Sequence, residues 1–165
     1  MTTSENSTMM CAYAFAAVRF DSATNHHSLH ATSRFEKDTV IVPFKAASTQ
    51  PVASYLTVQI DLQKHITLQP TILQFVNHSC EPNVFFNTST MEFTSLRSIA
   101  QGDELCFFYP STEWDMAQPF ECFCGRPNCL KEIKGAAYLP PEILMKYKLT
   151  DFILRELNTR VEQAF

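Results

Sequence analysis

Three cysteines within eight residues, Cys122, Cys124 and Cys129, constrain this chain more than any other feature. Thiolate sulfur is a preferred ligand of zinc, which binds four ligands in a tetrahedron at about 2.3 Å. Gly125 lies between the cysteines and favours a tight loop. A fourth ligand has to come from elsewhere in the chain, and Cys80 is a candidate. The alternatives are a reduced loop without metal and a disulfide.

Length and composition indicate one domain with no basic surface for nucleic acid. The chain has 165 residues and a formal net charge of −4, so direct nucleic-acid binding is not expected, and a basic peptide is the more suitable partner. No apolar run reaches the roughly 18 residues that span a membrane. The polar start, Met1 to Thr8, does not resemble a secretory signal, so we expect an intracellular protein, cytoplasmic or nuclear.

The order of apolar and polar residues predicts many short strands and few helices, hence a mainly β fold. Residues 11–20 are apolar enough for one buried strand, with an alanine-rich helix as the competing interpretation. Residues 21–27 and 46–51 are predicted to be loops, and residues 28–35 a strand. Further strands are predicted at residues 39–44, 55–60, 64–68, 84–87, 92–98 and 104–109, with a helical turn at residues 69–75.

The pattern changes after residue 141. Five apolar residues recur at helical spacing and predict one face of a helix: Leu149, Phe152, Ile153, Leu157 and Val161. Thr150 or Asp151 can cap its start. We expect this helix to cover the β core; the alternative is a helix that dimerises.

A second motif precedes the cysteine cluster. The segment Asn77–Asn83 reads Asn-His-Ser-Cys-Glu-Pro-Asn, and about twenty residues later come Gly102-Asp103-Glu104-Leu105 and then Tyr109. In this order and at these separations, the motifs and the cysteines resemble the catalytic half of SET-domain lysine methyltransferases with a zinc-bearing post-SET tail. The resemblance covers residues 25–139 and is strongest from Tyr55 onward.

This resemblance implies a SET-domain (β-clip) fold: small sheets around a threaded pseudoknot, a zinc-bound post-SET loop and a C-terminal helix. The corresponding boundaries are a disordered N-terminus at residues 1–10, a SET domain at 11–110, a post-SET zinc segment at 111–139 and a helical extension at 140–165. The family also closes its zinc site with the cysteine of the Asn-His-Ser-Cys motif, which implies the ligand set Cys80, Cys122, Cys124 and Cys129. Cys11 and Cys106 are then expected to be buried small hydrophobic residues.

The resemblance further implies methyl transfer from S-adenosylmethionine to a lysine amine on a protein. Tyr109 matches the tyrosine whose hydroxyl points into the substrate channel, and Phe107, Phe108 and Phe120 are expected to form channel walls. The family often has an acidic residue where this chain has Phe108. Asn77 and His78 match positions that hold the cofactor by side chain and backbone.

The cofactor loop departs from the family pattern. SET enzymes carry Gly-x-Gly shortly before an Ala-Thr pair, whereas residues 26–30 here read His-His-Ser-Leu-His, with neither glycine present. His27 and Ser28 are the predicted cofactor-binding residues in this segment, and a solvated loop is expected for His26, His27 and His30 in preference to a second metal site. A side chain here can occupy cofactor space or require a backbone angle that favours glycine.

Three interpretations of the function follow. The loop binds S-adenosylmethionine in a shifted geometry, or the domain is a catalytically silent SET module that binds a partner. The third is a pocket repurposed for a small metabolite without S-adenosylmethionine, with His27 or His30 as acid–base groups. The expected partner is therefore a lysine-bearing protein or peptide, or a small metabolite, with no direct nucleic acid and no membrane. The oligomeric state stays open.

Overall fold

The structure is a computed structural model that describes residues 6–165, apart from the side chain of Cys11. Short strands dominate it, as the sequence predicts. In chain order they are β1 (Ser7–Ala12), β2 (Ala16–Asp21), β3 (His26–Ala31), β4 (Val40–Pro43), β5 (Lys45–Gln50), β6 (Val58–Asp61), β7 (Lys64–Gln69), β8 (Asn77–His78), β9 (Val84–Asn87), β10 (Glu92–Ser95), β11 (Cys106–Phe107), β12 (Phe120–Glu121) and β13 (Glu132–Ile133).

The strands form small sheets instead of one large one. Three antiparallel sheets have the orders β1-β2-β3, β5-β7-β6 and β4-β10-β9. Strands β8 and β11 pair in parallel, with Asn77 opposite Cys106 and His78 opposite Phe107. Strands β12 and β13 form an antiparallel pair beside the cysteine loop. The parallel pair matters most, because it places the Asn-His-Ser-Cys segment next to the segment that leads to Tyr109.

The helical elements are short except for the last. Single 3₁₀ turns lie at Thr71–Phe75, Tyr109–Ser111 and Ala136–Tyr138, and the α-helices are α1 (Pro141–Leu144) and α2 (Asp151–Gln163). The first turn lies in the region predicted to be a helical turn. Within residues 6–165, no helix combines the length and the apolar character that crossing a membrane requires.

The predicted C-terminal helix and its cap are confirmed. The Thr150 side chain accepts a hydrogen bond from the Ile153 backbone N–H at 3.4 Å, which satisfies one free donor of the first turn. Phe152, Ile153 and Leu157 are buried against Phe108 and the segment around Ala136. The apolar face of α2 therefore packs within the chain, on the side of β11 opposite the main core.

The main core lies between the three antiparallel sheets. Its fully buried side chains come from most of the strands and the first 3₁₀ turn, and they include Leu29, Ile66, Leu73, Phe86, Phe93 and Leu105. A smaller, separate hydrophobic cluster contains Cys80, Cys122 and Ile133, with Tyr109 and Phe120 packed against it. The cysteine loop is thus attached to the core through the residues that precede and follow it.

Two sequence predictions, a loop and a single strand, were wrong. Residues 46–51 were predicted to be a loop, but Lys45–Gln50 form β5, which is exposed along almost its whole length. Such a strand has no apolar alternation, and it forms because its backbone pairs with β7, where the Ser48 and Thr67 hydroxyls lie 2.7 Å apart. A strand predicted at residues 11–20 is instead a hairpin, β1 and β2, with Tyr13 N–H donating to the Ala16 carbonyl.

Residues 7–10 belong to this hairpin, although residues 1–10 were predicted to be disordered. Strand β1 begins at Ser7 and pairs with β2, so residues 7–10 are ordered by backbone hydrogen bonds although their side chains are exposed. The prediction for residues 1–5 lies outside the described residues. Cys106, predicted to be buried, is half-buried, and the side chain of Cys11 also lies outside the described part.

Candidate metal centre and active-site cavity

The structure brings together the four cysteines that were predicted to bind zinc. The sulfur atoms of Cys80, Cys122, Cys124 and Cys129 all lie within 4.8 Å of one another. Cys80 and Cys122, whose sulfur atoms are 4.0 Å apart, are buried. Four sulfur atoms around one zinc ion would lie roughly 3.8 Å apart, given Zn–S bonds of about 2.3 Å in a tetrahedron. All four thiols are free, so the arrangement fits a metal site and not a disulfide.

Backbone and side-chain hydrogen bonds tie Cys80 to the distant loop. The Leu130 N–H points at the Cys80 sulfur at 3.4 Å, and the Asn128 side-chain amide donates to the Cys80 carbonyl at 2.8 Å. The Tyr147 hydroxyl donates to the same carbonyl at 2.8 Å. Residues that lie about fifty or more positions later in the chain therefore hold Cys80 in place. Such preorganisation is what a metal site requires.

The electrostatics of the cluster suit a bound cation. Burial raises the pKa of the Cys80 thiol, and it raises the pKa of Cys122 to about 11. Repulsion from the neighbouring thiolates adds to this effect at Cys80 and Cys122, whereas hydrogen bonds lower the pKa of Cys124 to about 7 against the effect of its burial. A zinc ion reverses both effects because its charge stabilises the thiolate form of every ligand. The donor set of four sulfur atoms, two of them buried, thus fits zinc.

His78 connects the cysteine cluster to Tyr109. Its Nδ1 accepts a hydrogen bond from the Tyr109 backbone N–H at 3.1 Å, so the ring proton belongs on Nε2, which lies 3.4 Å from the Cys80 sulfur. Burial lowers the pKa of His78 to about 4, which keeps the ring neutral. The imidazole contacts the rings of Phe108, Tyr109 and Phe120. The His78 side chain therefore orients other residues. It is not among the residues that line the cavity beside Tyr109.

Tyr109 lies on the wall of a cavity of about 560 Å³, within the usual size range of ligand pockets. Its hydroxyl donates to the Val76 carbonyl at 3.2 Å, and its ring packs on Phe107 and Phe120. Burial raises the pKa of Tyr109, so it stays a neutral phenol. Apolar and polar groups both contribute substantially to the cavity surface, and the polar side chains include His26, Asn77 and Glu113.

One predicted channel wall was wrong. Phe107 and Phe120 line the cavity, but Phe108 does not. Successive side chains of an extended segment point to opposite sides, so Phe108 faces away from Phe107. It stacks on Tyr147, with ring centroids 3.6 Å apart and an angle of 6° between the planes, in the cluster that α2 completes. The aromatic residue that replaces the family's common acidic residue thus anchors the C-terminal extension.

The histidine-rich segment that replaces Gly-x-Gly is a strand and not the solvated loop that was predicted. Residues 26–31 form β3, and among residues 21–31 only Asn25 has a positive φ, of 57°. The backbone here therefore does not require glycine. His27 packs between the rings of Phe20 and Phe75, and the His30 ring lies 2.9 Å from both the Ser28 hydroxyl and the Gly102 carbonyl.

The predicted cofactor residues are only partly brought to the cavity. Asn77 lines it, and its side-chain amide donates to the His27 carbonyl at 2.8 Å. This bond joins β8 to β3 and so connects the two segments that were predicted to hold the cofactor. Ser28 and His27 lie on β3 next to the cavity-lining His26 but are not themselves among the lining residues.

Comparison with known proteins agrees with this geometry. The pattern of the SET domain family matches residues 8–110. The chain is also 40% identical to the methyltransferase flvH of Aspergillus flavus over 134 residues, which cover 80% of this chain and 71% of that protein. The chain belongs to the SET-domain methyltransferase family. Its mainly β fold of small sheets is therefore the SET fold that the motifs predicted.

Other relatives match this SET domain over shorter stretches. The H3 lysine-36 specific histone-lysine N-methyltransferase of Debaryomyces hansenii is 32% identical over 85 residues, 48% of this chain and 12% of that protein. The chain thus spans a small part of this histone methyltransferase. Among solved structures, KRYPTONITE in complex with mCHH DNA, H3(1-15) peptide and SAH has a TM-score of 0.48 and 21% identity, covering 70% of this chain and 28% of that one.

Glu113 is among the residues of the SET-domain cavity that sequence reasoning missed. Its side chain is only 7% exposed, and Oε1 accepts hydrogen bonds from the Gln59 backbone N–H at 2.9 Å and the Thr112 hydroxyl at 3.0 Å. Burial raises its pKa to about 7, against the opposing effect of both hydrogen bonds. The available signal was an acidic residue four positions after Tyr109 and directly before the only tryptophan of the chain.

Proposed function

We propose that this SET domain transfers a methyl group from S-adenosylmethionine to the amine of a lysine side chain in a protein or peptide. The observation that carries the proposal is the place of the Tyr109 hydroxyl. The Val76 carbonyl holds it at the wall of a cavity that Asn77, Phe107 and Phe120 also line. The names of the histone relatives, specific for H3 lysine-36, support a lysine amine as the acceptor and a nuclear or cytoplasmic location.

Zinc would have a structural part in this function. The four cysteines would hold the ion. The ion would then fasten the loop that follows β12 to Cys80. In small peptides structural zinc contributes roughly 10–16 kcal/mol of apparent binding free energy, enough to order a loop without a core of its own. Phe120 lines the cavity and lies directly before this loop, so the ordered loop would complete one cavity wall.

The residues around β3 and β8 would hold S-adenosylmethionine, which supplies a methyl group activated by a sulfonium. Asn77 and His26 offer polar side chains at the cavity surface, and the backbones of His27, Ser28 and His78 lie beside them. The extended backbone of β3 takes side chains without strain, so the absence of both glycines changes the shape of the pocket and not the course of the chain.

The chain's own residues would prepare the amine. Lysine has a reference pKa near 10.4, so freeing its amine at pH 7 costs about 4–5 kcal/mol at 1.36 kcal/mol per unit. Apolar walls such as Phe86, Phe107 and Phe120 exclude water and so disfavour the charged ammonium. The Tyr109 oxygen keeps lone pairs after its proton is donated to Val76, and these can accept an N–H of the amine and orient its nitrogen.

Replacing Tyr109 by phenylalanine is expected to lower the rate of methyl transfer roughly 100-fold, because the hydroxyl that orients the amine is lost while the ring remains. The assay uses zinc-loaded protein and S-adenosylmethionine with a deuterated methyl group, and mass spectrometry detects the labelled product. The acceptors are a lysine-bearing histone H3 peptide and, separately, a small primary amine.

The matched control is Tyr138→Phe, which removes a hydroxyl bonded to Asp115 on an exposed side chain that is not among the residues lining the cavity. Its rate should equal that of the unmodified protein. Full turnover by Tyr109→Phe would contradict the role of the hydroxyl. Labelled product on the small amine alone would contradict the peptide substrate, and label on neither acceptor would contradict the proposed function.

A further inference from the structure

Glu113 is a buried carboxyl group that faces the cavity with one oxygen uncommitted. Its Oε1 accepts two hydrogen bonds, from Gln59 and Thr112, as described above. Oε2 receives no hydrogen bond from any described residue, although Glu113 belongs to the cavity lining. Oε2 is not among the fully buried side-chain atoms that lack a partner, so a hydrogen-bond donor that enters the cavity can reach this oxygen.

The protein supplies no cation to this carboxylate. No lysine or arginine is among the described residues that line the cavity, and Glu113 takes part in no ion pair of the described chain. A glutamine would accept the Gln59 and Thr112 hydrogen bonds equally well without the unfavourable burial of a charge. The acidic side chain is therefore explained by a positively charged ligand and not by the packing of the protein.

Glu113 is also fixed in position relative to Tyr109. Its backbone N–H donates to the Tyr109 carbonyl at 3.0 Å, and its own carbonyl accepts from the Ala136 N–H at 2.9 Å. The other titratable side chains that line the cavity are His26, Tyr55 and Tyr109. Burial and the nearby Glu113 charge both keep the pKa of Tyr109 high, so Tyr109 does not compete for protons near neutral pH.

We propose that Glu113 binds the ammonium group of the substrate in the cavity through Oε2 and accepts its proton before methyl transfer. One proton passes from R–NH₃⁺ to the carboxylate, leaving R–NH₂ and a neutral carboxylic acid. The nitrogen lone pair then forms the new bond to the methyl carbon while the carbon–sulfur bond of the donor breaks. Glu113 afterwards releases its proton to water at the cavity mouth. This role rests on the proposed function, because it assigns the group that frees the acceptor amine.

The test measures binding alone, without S-adenosylmethionine. NMR titration of the zinc-loaded full chain with n-butylammonium at pH 8.5 is compared between the unmodified protein, Glu113→Gln and the control Glu162→Gln at the exposed end of α2. The probe stays charged at this pH because such amines ionise near 10.4. Glu113→Gln is expected to raise Kd about tenfold, and Glu162→Gln to leave it unchanged. Binding of uncharged 1-pentanol should be equal in all three proteins.

The pH dependence gives a second readout that needs no substitution. Because burial raises the pKa of Glu113 to about 7, the carboxyl is mostly neutral at pH 6 and ionised at pH 8.5. We expect n-butylammonium to bind about tenfold more tightly at pH 8.5 than at pH 6. The series is repeated in His26→Gln, because histidine side chains also titrate in this range, and the effect should persist there.

Equal binding of n-butylammonium by Glu113→Gln and the unmodified protein would overturn the proposal. If Glu113→Gln does not fold by circular dichroism, the pH series decides: affinity that does not change between pH 6 and pH 8.5 overturns the role of Glu113. Methyl transfer is measured separately, so labelled product together with unchanged ammonium binding would leave the proposed function standing and remove only Glu113 from it.

Discussion

Replacing Cys80 by serine is expected to reduce the zinc content of the purified protein from about one equivalent per chain to a small fraction of that. Cys80 is fully buried, and its sulfur and carbonyl contact the loop that holds the other three cysteines. Its loss removes the one ligand that joins the loop to the segment after Asn77. Even a part of the roughly 10–16 kcal/mol that structural zinc contributes would shift the melting temperature by about 10 °C or more.

Metal analysis by mass spectrometry and thermal melting with and without a chelator measure this effect. The matched control is Cys106→Ser, since Cys106 is half-buried and does not belong to the cysteine cluster. The control should keep its zinc and lose stability when the chelator is added, whereas Cys80→Ser should respond little to the chelator. A Cys80→Ser protein with full zinc content and an unchanged melting temperature would contradict the assigned ligand set.

Replacing Gly135 by alanine is expected to destabilise the protein by about 3 kcal/mol or more, because both the backbone angle and the available space oppose a side chain. Gly135 has a φ of +122°, and a Cβ there would lie 2.5 Å from the Trp114 carbonyl oxygen. The backbone of Trp114 would have to move, and with it the bonds from Ala136 and Ala137 N–H to the Glu113 and Trp114 carbonyls. The substitution should therefore also weaken n-butylammonium binding.

Chemical denaturation measures the loss of stability in Gly135→Ala. The Gly102→Ala protein provides the comparison. Gly102 also has a positive φ, of +92°, but a Cβ at this position would meet no atom within 4 Å. Gly102→Ala should lower the free energy of unfolding only by the cost of the backbone conformation, about 1–2 kcal/mol. If Gly135→Ala is no less stable than Gly102→Ala, the close contact between Gly135 and Trp114 does not constrain the segment that carries Glu113.

The sequence alone predicts those parts of the structure that depend on a local pattern or on residue chemistry. The helical spacing from Leu149 to Val161 predicts α2, because an amphipathic face is visible within the segment itself. The convergence of Cys80 with the three later cysteines was implied by the family motif, and the sulfur atoms do lie together. Tyr109 lines the cavity, and its catalytic role stays a prediction.

The features that could not be predicted depend on partners distant in the chain. Strand β5 has exposed side chains on both faces, so only its pairing with β7 makes it a strand. The direction of Phe108 follows from Tyr147, which stacks on it from nearly forty residues away. The importance of Glu113 emerges only once the described residues that line the cavity are seen to include no lysine or arginine.

Calorimetric titration of the zinc-loaded protein with S-adenosylmethionine tests the account most directly. The extended course of β3 and the Asn77 side chain at the cavity surface predict saturable binding at about one site per chain, despite the missing glycines. Metal-loaded, folded protein that shows no binding would contradict the account, and it would leave a partner-binding SET module or a pocket for a small metabolite as the remaining interpretations.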